Sequence, residues 1–331
     1  MKFLIIRFSS IGDIVLTTPV IRCLKQQVAD AEVHYLTKKS FGGILSSNPY
    51  IDKVHLLAED WNNMIGELTN EQFDYIIDLH HNLRTSRVKK ALKVKSYSFN
   101  KLNMEKWLLT ALKIDLLPHV HIVDRYLDTL KDFGVINDGR GLDYFIPQQD
   151  VVPPDHLPTS HQLGFIGIVT GAALATKKLP VEKLKQLCTL IKHPIILLGG
   201  PEDSADAEQI AAVDNVKIYN ACGKFNLNES ADLVRKAKLI ITHDTGLMHI
   251  AAAFKKPVIS IWGNTIPGFG MDAYFGTYEV QNTKHEVKNL YCRPCSKIGY
   301  RRCPQGHFLC MQKQDIPAIA AEAMQLLSKK S

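Results

Sequence analysis

Short apolar runs alternate with helical stretches of about a dozen residues along this chain, and no other feature constrains its fold as strongly. KFLIIRF (2–8), VHYLT (33–37), DKVHLL and FDYIIDL read as strands, with WNNMIGELTNEQ as a helix between the last two. IVLTTPVIRCLKQQ reads as one continuous helix. The pattern restarts at LGFIGIV (163–169) and runs on through PIILLGG, NVKIYNACG, KLIITHD and PVISIWG. Between the two series lies QQDVVPPDHLPTSHQ (148–162), with three prolines and few apolar residues, which reads as a linker. Successive βαβ units predict parallel sheets. The expected fold is therefore α/β: two Rossmann-like domains, 1–155 and 156–331, facing a central cleft. The C-terminal helix is free to pack back on the first domain.

Length and composition fit this reading. The chain has 331 residues, 46% hydrophobic and 22% charged, which excludes a mostly disordered or low-complexity protein. No apolar run reaches the ~18 residues that cross a bilayer. The apolar stretch before Arg7 is too short for a secretory signal. A soluble, cytoplasmic protein is expected. The net charge of +7 sits entirely in residues 161–331, where 21 Lys+Arg face 14 Asp+Glu; residues 1–160 carry 19 of each. Within that neutral half, residues 84–113 hold nine basic side chains and one acid, Glu105. Such a patch suits an anionic partner, or is a solvated helix face.

Three turns at the carboxyl ends of strands carry the chemistry, since ligands of open α/β sheets bind there. In RFSSIGDIVLTTP (7–19), Gly12 permits a tight turn and Asp13 is either a helix cap or a general base. Position alone favours the cap. In VTGAALATKKLP (169–180), Thr170 and Gly171 offer hydroxyl and N–H groups, and Lys177 a cation that could neutralise a diphosphate. In LIITHDTGLMHIAAAFKKPVISIWG (239–263), a strand ends at His243-Asp244-Thr245-Gly246 and a helix of small residues begins. Its first N–H groups form a phosphate site, with Asp244 as cap or ligand acceptor and His249 as phosphate contact or core residue. LLGGPED (197–203) is a weaker partner, in which Glu202 or Asp203 could reach a ribose.

Taken together and in this order, these segments resemble glycosyltransferase family 9, the lipopolysaccharide heptosyltransferases. The resemblance extends through DYIIDLHHNLRTS and HIVDRYLDTLKDFG and covers nearly the whole chain. It implies a GT-B fold and an inverting transfer of heptose from ADP-L-glycero-D-manno-heptose to the inner core of lipopolysaccharide. It also implies that catalysis needs no cofactor. By resemblance Asp13 becomes the general base rather than a cap, and Lys177 stands beside the donor phosphates. Asp244, Thr245, Gly246, Leu247 and His249 bind the donor, joined by Thr170 and Gly171. Gly12, Asn82, Arg84 and Arg125 are the candidate acceptor residues. The implied partners are a nucleotide sugar and a lipid-linked saccharide, met at the cytoplasmic face of the inner membrane, and not nucleic acid. Two departures stand out. Gly263-Asn264-Thr265-Ile266-Pro267 replaces the family's G-P-T-D-P, and Leu179 replaces an aromatic.

Seven cysteines without a signal peptide argue for reduced thiols. Four of them, Cys292, Cys295, Cys303 and Cys310, have a spacing compatible with a structural zinc, or form a reduced loop. A transferase using another nucleotide sugar is the alternative reading. A zinc-ribbon nucleic-acid binder is opposed by Asp13 and Asp244.

Overall fold

The computed structural model describes residues 1–328 and contains two wholly parallel sheets. The first has five strands: β1 (Lys2–Ile6), β2 (Glu32–Lys38), β3 (Lys53–Leu57), β4 (Tyr75–Asp78) and β5 (Lys95–Ser98), in the order β3-β2-β1-β4-β5. The second has six: β6 (Ile166–Val169), β7 (Ile195–Leu198), β8 (Ile218–Asn220), β9 (Leu239–His243), β10 (Val258–Trp262) and β11 (Asn282–Glu286), in the order β11-β10-β9-β6-β7-β8. Central strands such as β9 and β10 are buried at every position, as a parallel sheet covered on both faces requires. In each sheet the order reverses beside the first strand, β1 or β6, which places the turns after β1, β6 and β9 at the switch-point crevice.

Local chemistry corrects three expectations. The stretch after β1 is two helices, Ile11–Val15 and Thr18–Gln27, because Pro19 has no N–H to donate and stands in the first turn of the second one. The proline-rich stretch is not a loose tether. Arg22, fully buried, binds Asp138 and Asp143 on the first-domain side. From Tyr144 onward the chain is held by the helix Leu227–Lys236: Tyr144 donates to Asn228, Asp150 accepts from Asn226 and Asn228, and Val152 N–H donates to Asp232. Finally, the C-terminal helix Ile316–Ser328 does not return to the first half. Ile316, Ile319, Ala323 and Leu326 join the apolar cluster of Leu184, Leu187 and Ile241 beside the second sheet.

Candidate active site

Asp13 sits in the first turn of Ile11–Val15, directly after β1. Its Oδ2 accepts from Ser10 N at 3.1 Å and Ser10 Oγ at 2.8 Å, and its Oδ1 lies 2.5 Å from Arg7 Nη2. Burial alone would raise its pKa, but the Arg7 guanidinium and the Ser10 bonds outweigh it and hold the carboxyl below its usual value. Arg7 is itself buried and fixed by donation to Leu79 O, Ser9 O and the Tyr126 hydroxyl. The result is an ionised carboxylate whose position is set by a clamped cation. Arg7 opens the RFSSIGD motif, yet its role was not legible there because its partners come from β4's end and from Tyr126.

The turn after β9 packs directly against the helix turn that carries Asp13. A Cβ on Gly12 would lie 2.5 Å from His249 Cδ2, and one on Gly246 would lie 2.7 Å from Ile11 Cγ2. The Gly12 and Gly246 turns therefore touch across the domain boundary with no side chain of their own between them. The helix Gly246–Ala253 begins after Thr245, whose side chain makes no capping bond, so the first N–H groups stay open. Asp244 does not cap this helix. Its Oδ2 pairs with Lys177 Nζ at 2.6 Å and accepts from Thr265 Oγ1 at 3.0 Å. His249 is buried, and burial pushes its imidazole down to about 4, so it is neutral at pH 7. Its Nδ1 has no hydrogen-bond partner among the described residues. Leu247 is half-buried on the same turn.

Two donor candidates are used internally. Thr170 is buried, its hydroxyl 3.4 Å from Leu198 O and Cys222 Sγ, which turns it into the sheet. Gly171 makes room for Asp203, whose Oδ2 a Cβ would meet at 2.0 Å. Asp203 in turn is buried on Gly200 N–H and Lys178, which removes it as a ribose partner and leaves Glu202 exposed.

Of the acceptor candidates, Asn82 and Arg84 line an open cleft of about 570 Å³ together with Phe8, Ser9, His80 and Arg87. Asn82 caps the helix Leu83–Leu92 through Thr85 N–H, and Arg84 lies over the Phe8 ring. Arg125 does not line this cleft. It is buried, with its guanidinium directed at Asn100 O and Phe269 O. Two nearby groups escaped the sequence reading. Burial pushes His80 down to about 4, and burial with the Arg125 charge pushes Lys106 down to about 8.

The four cysteines of the late cluster line one small enclosed cavity together with Thr176, Asn264 and His307, and none forms a disulfide. Burial, with neighbouring Cys295 and Cys303, pushes the Cys310 thiol up to about 11. The sulfurs stand wider than a tetrahedral set. Among the described residues, the one group of three or more His, Cys or carboxylate atoms within 4.8 Å of one another is His34, His55 and Glu71. There Glu71 is already held by Lys2 and Lys53. Ile266, standing where the family has aspartate, packs on Leu102, Leu109, Leu117 and Phe269.

Comparison with known proteins adds to this geometry. Residues 61–303 match Glycosyltransferase family 9 (heptosyltransferase). The chain is 26% identical to lipopolysaccharide heptosyltransferase 1 of Campylobacter coli, over 88% of this chain and 94% of that protein. Its fold is similar to the glycosyl transferase family 9 structure from Veillonella parvula, with TM-score 0.77 at 22% identity, covering 99% of this chain and 97% of the other. It is also similar to ADP-heptose lps heptosyltransferase II of E. coli, with TM-score 0.73 at 18% identity and full coverage of both chains. The GT-B arrangement expected from the resemblance is the fold found, and the chain belongs to glycosyltransferase family 9, the heptosyltransferases.

Proposed function

We propose that this chain transfers heptose from ADP-L-glycero-D-manno-heptose to the inner core of a lipopolysaccharide acceptor, with inversion at the anomeric carbon. The observation that carries this reading is the contact of Gly12 with His249. It sets an ionised Asp13 beside a helix whose first N–H groups are open. The names of the relatives, a lipopolysaccharide heptosyltransferase and an ADP-heptose lps heptosyltransferase, support the donor and acceptor classes.

In this mechanism Asp13 takes the proton from the acceptor hydroxyl as its oxygen attacks the anomeric carbon on the face opposite the diphosphate. Charge grows on the departing diphosphate, and Lys177 with the N–H groups from Gly246 onward stabilises it. These fixed groups supply the charge stabilisation that the departing diphosphate requires. Thermal unfolding with a panel of nucleotides tests the donor. Saturating ADP or ADP-heptose is expected to raise the Tm by about 5 °C, while UDP and GDP compounds leave it unmoved. Transfer of heptose to a heptose-deficient lipopolysaccharide completes the test. Selective stabilisation by a UDP or GDP sugar replaces the donor, and no response to any overturns the reading.

The cysteine loop has the donor chemistry of a structural Zn²⁺ site formed by Cys292, Cys295, Cys303 and Cys310, closing on the cavity they already share. His307 Nδ1 accepts from Leu309 N–H at 3.1 Å, so its Nε2 carries the proton and faces Cys292 Sγ at 3.8 Å. It suits a donor to the thiolate rather than a ligand. Protein purified without chelator is expected to carry about one zinc per chain, lost in Cys303→Ser together with several degrees of Tm. A metal-free protein with full stability and freely titrating thiols overturns the assignment.

A further inference from the structure

The loop 292–300 is bonded to both turns that hold the Lys177–Asp244 pair, although none of its side chains belongs to the pair. On the lysine side, Thr176 N–H donates to Tyr300 O at 3.2 Å, and Tyr300 N–H donates to Thr176 Oγ1 at 2.8 Å. On the aspartate side, Thr265 Oγ1 donates to Asp244, and Arg293 holds the turn that presents this hydroxyl. Arg293 Nε donates to Gly263 O at 2.6 Å and its Nη2 to Thr265 O at 3.1 Å. The same Nη2 lies 2.6 Å from Glu286 Oε2, at the end of β11. The Arg293 side chain is only 9% exposed, and Gly263 and Thr265 are buried. The two turns are also joined to each other. A Cβ on Gly263 would lie 3.0 Å from Thr176 O. Asn264, where the family has proline, is buried, and with its amide turned to match its neighbours it donates to Thr176 O at 3.0 Å. Cys295 N–H closes on Asn264 O at 3.3 Å.

A guanidinium suits this place and an ammonium does not. Its planar fork meets two carbonyl oxygens and a carboxylate in fixed directions, whereas a lysine head is a point donor. Without the fork, two carbonyls of a buried turn lose their donor, and the turn must shift to find another. A shift of Thr265 passes to Asp244, because the Thr265 hydroxyl is the second bond that fixes this carboxylate, and from Asp244 to the Lys177 ammonium. We propose that Arg293 is a positioning residue for the Lys177–Asp244 pair, acting through Thr265, and that the loop 292–300 thereby sets the affinity for the donor diphosphate. The consequence for affinity rests on the reading that Lys177 meets that diphosphate; the positioning itself does not.

The test compares the full wild-type chain with Arg293→Lys and Thr265→Val. The first keeps a charge facing Glu286 but loses the fork, and the second removes one hydroxyl at nearly constant shape. One readout is the rate at which acetic anhydride acylates Lys177, followed by mass spectrometry against Lys131, whose side chain is 71% exposed. The other is ADP affinity by isothermal titration. Both variants are expected to raise Lys177 acylation at least about threefold relative to Lys131 and to weaken ADP binding about five- to tenfold, with little change in Tm. In the Lys177→Ala background neither substitution should weaken ADP binding further, because the group they aim is gone. A merely structural role predicts the same loss of affinity in both backgrounds, and that result overturns the proposal. Unchanged acylation of Lys177 in the two variants overturns it as well, whatever the affinity. If wild type fails to bind ADP while acylation rises in both variants, the donor reading fails and the positioning role stands.

Discussion

Asp13→Ala is expected to lower transfer by about 10²–10⁴-fold while leaving the affinity for ADP-heptose within about twofold. The asymmetry follows from position. Asp13 is bound to Ser10 and Arg7 on the first-domain side, whereas Lys177 and Asp244 pair with each other on the other side of the seam. Ala removes the proton acceptor and leaves the buried Arg7 guanidinium without its carboxylate, so a drop in Tm is expected as well. Asp13→Asn keeps a hydrogen-bond acceptor and should recover part of the Tm without recovering the rate. Because Arg7 and Ser10 hold the carboxyl below its usual value, the base is already ionised through weakly acidic pH. The rate should stay level from neutrality down to about pH 5 and fall only below it. Turnover of the Ala variant within a few-fold of wild type would remove Asp13 from the mechanism.

Lys177→Ala is expected to fail differently, losing about 10²–10³-fold in kcat and about tenfold in ADP affinity together. Lys177 Nζ stands 2.6 Å from Asp244, and Asp244 is also held by Thr265, so the ammonium is aimed by a fixed carboxyl group. Removing it takes away the cation that meets charge on the departing phosphate and frees Asp244 to repel that same phosphate. Asp244→Asn in the Lys177→Ala background should restore some ADP affinity but little rate, because repulsion is relieved without a cation being returned. Isothermal titration with ADP, run beside transfer kinetics, separates the two. Unchanged ADP affinity in Lys177→Ala would place the lysine outside the donor site.

What the sequence made legible followed from burial. Strands such as β9 and β10, covered on both faces, are continuous apolar runs and announce themselves. The edge strands β5 (KSYS) and β11 (NTKHE) are polar and half-exposed, and nothing in their pattern separates them from loop. The site divided along a similar line. Asp13, Asp244 and the glycine turns stand in motifs with recognisable order, but their partners are brought by tertiary contact: Arg7 through Tyr126 and Leu79, Lys106 from the basic stretch, Thr265 from the loop after β10. Thr170 shows the converse. Its place at the end of β6 suggested a ligand contact, whereas its hydroxyl faces Leu198 and Cys222 inside the sheet.

The touching glycines also govern how the two halves can move. With Gly12 against His249 and Gly246 against Ile11, the seam has no slack at that point. A rigid rotation about such a fulcrum displaces distant walls of the cleft far more than it displaces the pivot. The outer rims of the cleft can then swing while the separation between Asp13 and the Gly246 turn hardly changes. A single methyl group added at either glycine would wedge this bearing apart, lengthening the distance from Asp13 to the Gly246 turn while leaving the Asp13 carboxylate and the Lys177 ammonium chemically intact.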